Sequence, residues 1–287
     1  MKSGTIAPIF NDATGTDASM SNIDAANALF TAISYNRFDE IGARHAPNVR
    51  FSSFIGPHLT GSVAVQDWHR TFRRDYADCT YTEIEAIEEG NTVCARATLE
   101  AKGYDWRPFT QRVVDVLHFS DGLVSERQLY GMLRDIELDK VATKALEGAL
   151  EFRGGNVNET RKATETLFTA LLSGELEPAK EVVSDKAVLI DGVYGLATGL
   201  ENIAALFASI PQPAFGIPRI TASFAGAKDA LVEISVDPAR PRAAYWVRMV
   251  EGKIAVVEGY WMLREVGVEP RQNYARDRHM RQVIMPI

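Results

Sequence analysis

Several residue types are too rare or too scattered in this sequence to support common classes of site. Among its 287 residues only Cys79 and Cys94 are cysteines, too few and too far apart for a zinc site or a disulfide framework. We therefore expect reduced thiols in a cytoplasmic protein. Lys and Arg number 31 against 38 Asp and Glu, and the net charge of −7 argues against a general affinity for nucleic acid or an anionic membrane.

Other signatures of chemistry or targeting are also missing. His, Asp and Glu do not occur with metal-ligand spacing, no Gly-rich phosphate-binding loop is present, and neither a nucleophilic-serine elbow nor a Cys–His pair stands out. Residues 1–20 contain no long apolar run, so we expect a mobile arm there and neither a signal peptide nor a membrane span. The basic residues of 268–287 predict a solvated or surface-docked tail.

What the sequence does contain is a duplication. Three pairs of segments match: LFTAI with LFTAL at 29–33 and 167–171, Thr60-Gly61 with Thr198-Gly199, and DGLVSERQLYGML with EGKIAVVEGYWML at 121–133 and 251–263. The first two pairs are 138 residues apart and the third pair 130, which indicates two copies of one unit of roughly 110 residues. The hairpin loop KGYDWRPFT, present only in the first copy, accounts for the difference. A unit of this size can fold alone.

Hydrophobic periodicity is helical at the front of each copy and alternating at the back. Ser21 begins a capping box before the first helix, and Asn158 can cap the matching helix of the second copy, which stops near Gly174. Later segments alternate β-branched and aromatic residues and are broken by turn pairs such as Asp121-Gly122, which is typical of antiparallel sheet. The sequence therefore predicts an α+β protein divided into an arm at 1–20, a domain at 21–138, a linker helix and hinge at 139–157, a second domain at 158–267 and a tail at 268–287.

This order of elements resembles the nuclear transport factor 2-like superfamily, and within it the SnoaL-like polyketide cyclases and ketosteroid isomerases. The segments that carry the resemblance are APNVRF, SDKAVLI, EEGNTVCARATL and VLHFSDGLVSERQLY, together with the two Thr-Gly pairs. The resemblance implies two tandem cone-shaped α+β barrels, each with three helices packed on a curved antiparallel sheet around an apolar cavity. Enzymes of the family usually need no cofactor and transfer a proton with one carboxylate or His in that cavity, where burial raises a carboxyl pKa. The same cone also serves as a binding or dimerisation module.

Two polar residues, Asp115 and His118, interrupt the apolar penultimate strand of the first copy. Residues three apart on a strand face opposite sides, so at most one of them lies in a cavity. Asp115 shares its side with Leu117 and Phe119 and is therefore our candidate catalytic carboxylate, with His118 as an assisting group. A hydrogen-bonded residue at a domain contact would explain Asp115 equally well.

The last strand of each copy carries a period-two set, which is Gln128, Tyr130 and Met132 in the first copy and Glu258, Tyr260 and Met262 in the second. We expect this face of the strand to line the cavity, with Tyr130 donating a hydrogen bond to a substrate oxygen and Gln128 contacting the substrate. A core Tyr is the alternative explanation. Met132 and Met262 stand where the resemblance to SnoaL-type cyclases implies an acid/base Asp.

Further candidates come from loops and from the second copy. Asp191 stands where the resemblance to ketosteroid isomerases implies a proton-shuttling Asp, although a turn-forming Asp before Gly explains it too. His58 lies on the loop into the third helix, near the expected cavity mouth, whereas His45 and His69 fall on predicted helices and are interpreted as structural. The remaining candidates are Tyr81, Arg96 and Trp106 around the first cavity mouth, and Glu258 and Tyr260 beside Asp191 in a possible second pocket.

We therefore predict a cofactor-independent lyase or isomerase without a metal. It would act by general acid/base catalysis on a small hydrophobic, aromatic or polycyclic substrate in the first cone. Asp115 would move the proton, Tyr130 would hold the substrate oxygen, and His118 or His58 would assist. The alternative is a non-catalytic small-molecule binding or dimerisation module. No nucleic-acid or membrane partner is expected, whereas homo-oligomerisation is left open.

Overall fold

The computed structural model describes residues 21–102, 108–132, 155–211, 213 and 216–267. The predicted N-terminal arm, the C-terminal tail, Trp106 and all but the last three residues of the predicted linker lie outside the described residues. Within the described part of the chain, no helix is long and apolar enough to cross a membrane.

The first half, described over 21–102 and 108–132, begins with helices and ends in antiparallel sheet. Its helices are α1 (Asn22–Ser34), α2 (Phe38–Ala43) and α3 (Ser62–Asp75). Its strands are β1 (His45–Ser53), β2 (Leu59–Thr60), β3 (Ala77–Glu89), β4 (Thr92–Lys102), β5 (Pro108–Ser120) and β6 (Leu123–Gly131). Strands β3 to β6 pair antiparallel in sequence order, and β1 joins β6 in parallel with β2 on its far side.

The second half, at 155–267, repeats this arrangement. Its helices are α4 (Val157–Ser173), a 3-10 helix (Glu177–Glu181) in the place of α2, α5 (Leu200–Ala208) and a final 3-10 helix (Leu263–Val266). Its strands are β7 (Val183–Asp191), β8 (Gly195–Thr198), β9 (Arg219–Ala225), β10 (Asp229–Ser235), β11 (Ala243–Val250) and β12 (Lys253–Trp261). The predicted α+β class is confirmed, and we call the halves the first cone and the second cone.

Local sequence signals explain where helices begin and end. Ser21 caps α1 as predicted, because its Oγ accepts the backbone N–H three residues later at 3.1 Å. The prediction that Asn158 caps α4 is wrong, since Asn158 lies inside the helix and Asn156, in an extended conformation, accepts the capping bond at 2.9 Å. Helix α4 stops at Gly174, whose φ of 79° is a left-handed conformation that Gly adopts without strain.

The central strands of each sheet are buried on both faces, by the helices of their own cone on the inner face and by the other cone on the outer face. The outer faces share an apolar cluster that includes Cys94, Val114, Val116, Tyr130 and Met132 of the first cone and Leu231, Ala244, Trp246, Tyr260 and Met262 of the second. The two sheets are joined edge to edge only by the pairing of Gly131 with Trp261 within the described residues. The expectation that the Tyr130 face of the last strand lines a cavity is therefore wrong, because that face packs between the cones.

At one point the main chains of the two cones approach too closely for a side chain. A Cβ at Gly192, just after β7, would lie 2.6 Å from Cβ and 2.7 Å from Cα of Met132. Since Met132 follows β6 directly, its main chain can move only with the end of that strand, and we expect Gly192→Ala to lower the free energy of unfolding by about 1–3 kcal/mol. Urea denaturation measures this loss. The control is Gly42→Ala in α2, whose new Cβ would meet only the flexible Gln66 side chain at 3.5 Å; an equal loss there would contradict the argument.

Candidate active site

The interior of the first cone contains a buried ion pair on neighbouring strands. Asp115 on β5 is 1% exposed and Arg127 on β6 is 0% exposed. Arg127 Nε donates to both carboxylate oxygens at 3.0 Å, and its Nη2 donates to Oδ2 at 2.6 Å. Charge-assisted contacts of this two-pronged kind are among the strongest hydrogen bonds that side chains make. The predicted inward direction of Asp115 is confirmed, but both of its oxygens are engaged by Arg127.

Arg127 is the centre of a wider polar cluster. Its Nη1 lies 3.0 Å from Nε2 of His69 on α3, and its Nη2 donates to the hydroxyl oxygen of Tyr81 on β3 at 3.1 Å. The ring of Phe51 covers the guanidinium, 5.1 Å from Cζ. Because Arg can only donate, His69 accepts at Nε2 and carries its own proton on Nδ1. Four of the five guanidinium N–H groups thus have partners among the described residues, and one on Nη1 is left for another acceptor.

Burial decides the protonation of this cluster. It lowers the pKa of His69 well below the usual value, and the charge of Arg127 lowers that pKa further. Burial also raises the pKa of the Tyr81 hydroxyl. Burial alone would lower the pKa of Arg127, but the charges and hydrogen bonds of Asp115 and Tyr81 together outweigh burial and raise that pKa. At neutral pH the cluster therefore holds one positive and one negative charge beside a neutral His and a neutral Tyr.

His45 has a buried acceptor nitrogen without a partner. Its Nδ1 lies 2.7 Å from the carbonyl oxygen of Ile41 and must donate to it, which leaves a lone pair on Nε2. Nε2 is buried and has no hydrogen-bond partner among the described residues. Burial lowers the pKa of His45 to about 4, with help from the charge of Arg127, so Nε2 is a free base at neutral pH. The predicted helical position of His45 is wrong, because it is the first residue of β1.

Most of the other candidates lie outside this interior. Of the residues predicted to bind substrate, Tyr81 is inside the first cone and Trp106 lies outside the described residues. Gln128 is on the outer face of β6, like Tyr130, whose hydroxyl contacts Glu233 of the second cone. Arg96 on β4 also faces the second cone, where it donates to Glu258. These placements correct the expectation that all of them surround one cavity.

The two histidines predicted to assist catalysis are also outside the interior. His118 is on the outer face of β5, with Nδ1 2.9 Å from Thr92 Oγ1 and its ring 6.3 Å from that of Phe224 in the second cone. This placement confirms that Asp115 and His118 face opposite sides of the strand. His58 is exposed where the cones meet, with Nδ1 2.7 Å from Ser52 Oγ and Nε2 3.3 Å from Glu265. Neither histidine contacts the Asp115–Arg127 pair.

The second cone has aromatic rings where the first has its polar cluster. Tyr245 takes the place of Asp115 at the repeat offset of 130. The rings of Phe168, Phe207 and Trp261 surround it, with centroids 5.0, 5.9 and 6.1 Å away. In neither cone do the described residues include a group of three or more His, Cys, Asp or Glu side chains that could hold a metal ion.

Asp191 organises a turn inside the second cone. Its Oδ1 accepts the backbone N–H groups of Val193 at 2.8 Å and Tyr194 at 2.9 Å, and both carboxylate oxygens lie 3.0 Å from Trp261 Nε1. This geometry favours the turn-forming explanation of Asp191. Glu258 and Tyr260 point from the opposite face of β12 into the contact between the cones. The prediction that Asp191, Glu258 and Tyr260 line one second pocket is therefore wrong.

Three buried residues of this interior were not predicted as site residues: Arg127 and His69 of the polar cluster, and His45, on which the charge of Arg127 acts. An Arg on a strand ordinarily indicates a solvent-facing position, and a single His indicates little. The signal that could have found them is the comparison of the two copies. At the repeat offsets the counterparts of these residues are Val257, Phe207 and Val183, so one copy is polar at three positions where the other is apolar.

Comparison with known families places this cluster in a recognised domain. A family model described as a SnoaL-like domain matches residues 26–127. Residues 26–127 form a SnoaL-like domain. The matched segment includes every member of the polar cluster and also His45. No curated protein matched the sequence.

Solved structures similar to this chain each correspond to a little more than a third of it. A candidate polyketide cyclase from Pseudomonas putida is 13% identical with a TM-score of 0.37, over 39% of this chain and 92% of that one. An NTF2-like protein of unknown function from Burkholderia pseudomallei is 20% identical with a TM-score of 0.36, over 38% of this chain and 89% of that one. A protein with a ketosteroid isomerase-like fold from Catenulispora acidiphila, in complex with trimethylamine, is 16% identical with a TM-score of 0.36. The similarity covers 37% of this chain and 84% of that one.

Proposed function

We propose that the first cone is a cofactor-independent acid/base site of the lyase or isomerase type, acting on a small hydrophobic molecule. The observation that carries the proposal is the unpartnered Nε2 of His45. A buried imidazole that is neutral at pH 7, and whose other nitrogen is fixed by a backbone carbonyl, presents a free lone pair that can accept a proton from a substrate. His45 is thus the proposed base.

Arg127 would stabilise the negative charge that develops on a substrate oxygen when the proton leaves. Its remaining N–H on Nη1 is a buried, preorganised donor, and such donors act more strongly away from water. Asp115 and His69 would hold the guanidinium in place. We therefore assign Asp115 a positioning role in place of the proton transfer first expected of it, because both of its oxygens accept from Arg127.

The charges and rings of the first cone favour a neutral, aromatic or polycyclic substrate that carries a carbonyl or enol oxygen. Asp115 balances the charge of Arg127, so the interior offers no spare charge for an ionic ligand. Aromatic rings adjoin the cluster, with Phe51 4.9 Å from Trp68 and Phe30 4.8 Å from Tyr81 between centroids. Rings of this kind supply the apolar surface that binds small hydrophobic molecules.

Proton exchange tests this proposal and requires no identified product. The protein is incubated in D2O with a panel of neutral aromatic ketones, and deuterium incorporation next to the carbonyl is followed by mass spectrometry. We expect at least one compound to exchange faster than in buffer, and His45→Asn to lose about 10²–10⁴-fold of that rate. Asn keeps a donor for the Ile41 carbonyl but has no group in the place of Nε2. His118→Asn, on the outer face, is the matched control and should keep the rate.

The alternative function is non-catalytic binding of a small molecule. The nearly complete set of partners around Arg127 favours this alternative, because groups that are already paired are less available to take part in a reaction. In that case members of the panel would raise the melting temperature of the protein without any proton exchange. Exchange at the buffer rate for every compound that binds would reject the acid/base proposal and leave the binding function.

A further inference from the structure

Two polar contacts cross the interface between the cones at positions related by the repeat. In the first contact, Arg96 on β4 donates from Nη2 to Glu258 Oε1 on β12 at 2.7 Å, and Tyr260 donates to the same carboxylate at 2.9 Å. In the second contact, the hydroxyl of Tyr130 on β6 is hydrogen-bonded to the carboxyl group of Glu233 on β10. Strand pairing shows that Glu233 and Arg96 occupy equivalent positions. Glu233 lies opposite Ala244 and Arg96 lies opposite Val114, and Ala244 is the repeat counterpart of Val114.

The equivalent contacts differ in their charges. The first contact pairs a cation, Arg96, with an anion, Glu258. In the second contact Glu233 replaces the cation, and Gln128 stands at the repeat position of Glu258. The second contact therefore has one carboxyl group and no cation. An ionised carboxylate buried without a cation is strongly unfavourable, whereas a protonated carboxyl group is not.

The surroundings of Glu233 favour its neutral form. Glu233 is 7% exposed. Among the described residues, the groups that act on its carboxyl through charge or hydrogen bonds are Tyr130 and Glu126 on β6 and Cys94 on β4, and none of them is a cation. Burial raises the pKa of Glu233 to about 7; the hydrogen bond from Tyr130 opposes this rise and the negative charge of Glu126 adds to it.

The hydrogen-bond directions are also consistent with a protonated Glu233. Tyr130 has one hydroxyl hydrogen and two nearby acceptors, Glu233 Oε1 and Gln128 Oε1, the latter 3.0 Å away. If Glu233 carries a proton, it donates to Tyr130 and Tyr130 donates to Gln128, so Glu233 Oε1, the Tyr130 hydroxyl and Gln128 Oε1 all have partners. If Glu233 is ionised, Tyr130 donates to Glu233 and Gln128 Oε1 loses its donor. Gln128 Nε2 in turn donates to Glu126 at 3.1 Å, which leads towards the surface.

We propose that Glu233 holds a proton where the two cones meet, and that loss of this proton as the pH rises loosens the contact between them. The proposal does not depend on any activity of the first cone. It concerns the strand faces that join the cones, on which Tyr130 and Gln128 lie, and it gives these residues a role other than the substrate contact first expected.

The direction of the pH effect follows from proton linkage. An unperturbed Glu titrates at 4.5, as in an unfolded chain, whereas Glu233 in the folded protein titrates at about 7. Between these values the folded protein binds more protons than the unfolded chain. Stability therefore falls as the pH rises from about 4.5 to about 7, and Glu233 adds no further dependence above that range.

The test compares the whole chain with Glu233→Gln, which keeps the shape of the side chain and cannot ionise. We expect the unfolding equilibrium constant of the wild-type protein, relative to that of the variant, to rise by just under two orders of magnitude between pH 4.5 and 7. Glu258→Gln is the matched control. Burial alone would raise the pKa of Glu258, but its contacts with Arg96 and other groups lower that pKa below the usual value. The Glu258→Gln variant should therefore keep the wild-type dependence of stability on pH in this range.

Parallel pH profiles for the wild-type protein and Glu233→Gln would overturn the proposal. A second measurement covers the case in which the variant does not fold. In wild-type protein with ¹³C-labelled Glu, one side-chain carboxyl resonance should titrate near pH 7, well above the rest. Titration of every Glu carboxyl group in the ordinary range would equally overturn the proposal.

Discussion

Replacing Arg127 with Met is expected to lower the free energy of unfolding by about 3–5 kcal/mol. The variant leaves Asp115 buried in the first cone without a cation, and it removes the donors to His69 and Tyr81. A buried charge that loses its partner keeps the full penalty of leaving water. Chemical denaturation followed by tryptophan fluorescence and circular dichroism measures the loss.

A double variant and an exposed ion pair sharpen this test. Asp115→Leu combined with Arg127→Met removes both charges and should recover most of the loss, because apolar groups can replace a buried ion pair. The second cone shows such a replacement, with Tyr245 and Val257 at these positions. Arg50→Met removes an exposed pair with Glu126, in which Arg50 is 67% exposed, and should change stability by less than about 1 kcal/mol. A double variant less stable than Arg127→Met would contradict the argument.

The second large effect is expected at the contact between the cones. Arg96→Met should lower the free energy of unfolding by about 3 kcal/mol, because it leaves Glu258 nearly buried without its main partner. The expected loss is at the lower end of the range for buried pairs, since Arg112 Nη1 remains 3.6 Å from the carboxylate. Amide hydrogen exchange should rise in β4 and β12, the strands that carry the pair.

A double-mutant cycle separates this pair from general packing. The coupling between Arg96→Met and Glu258→Gln should be about 1–3 kcal/mol, whereas residues without a shared contact show almost none. Arg70→Met, which removes an exposed pair with Asp67 on α3, serves as the surface control and should have little effect. Additive losses at Arg96 and Glu258 would show that the contact between the cones does not depend on this ion pair.

Much of the fold follows from local rules that act within a few residues. The Asp121-Gly122 turn is predicted by its residue types, and both residues have positive φ, 53° and 74°, as the tight hairpin turn requires. The start of α1 at Ser21 and the end of α4 at Gly174 follow from capping in the same way. The opposite directions of Asp115 and His118 follow from the period of two along a strand.

The face of the last strand that points inwards could not be predicted in this way. Alternation of apolar and polar residues selects a face only when one side of a sheet meets water. Strand β6 is buried on both faces, with Leu129 against the helices and Tyr130 against the second cone, so its pattern is equally consistent with either direction. The resemblance to a family of cavity-bearing cones favoured the direction that proved wrong.

The sequence by itself determined the duplication, the α+β class, the order of elements and the inward direction of Asp115, because each depends on repeats or on short-range periodicity. The tertiary structure alone decided that Arg127, His69 and Tyr81 meet Asp115 in one cluster, and that Tyr130, Gln128 and Arg96 join the two cones. These groupings depend on which strand faces are buried against which partner. That choice is made by the packing of distant segments, which no pattern within a single strand records.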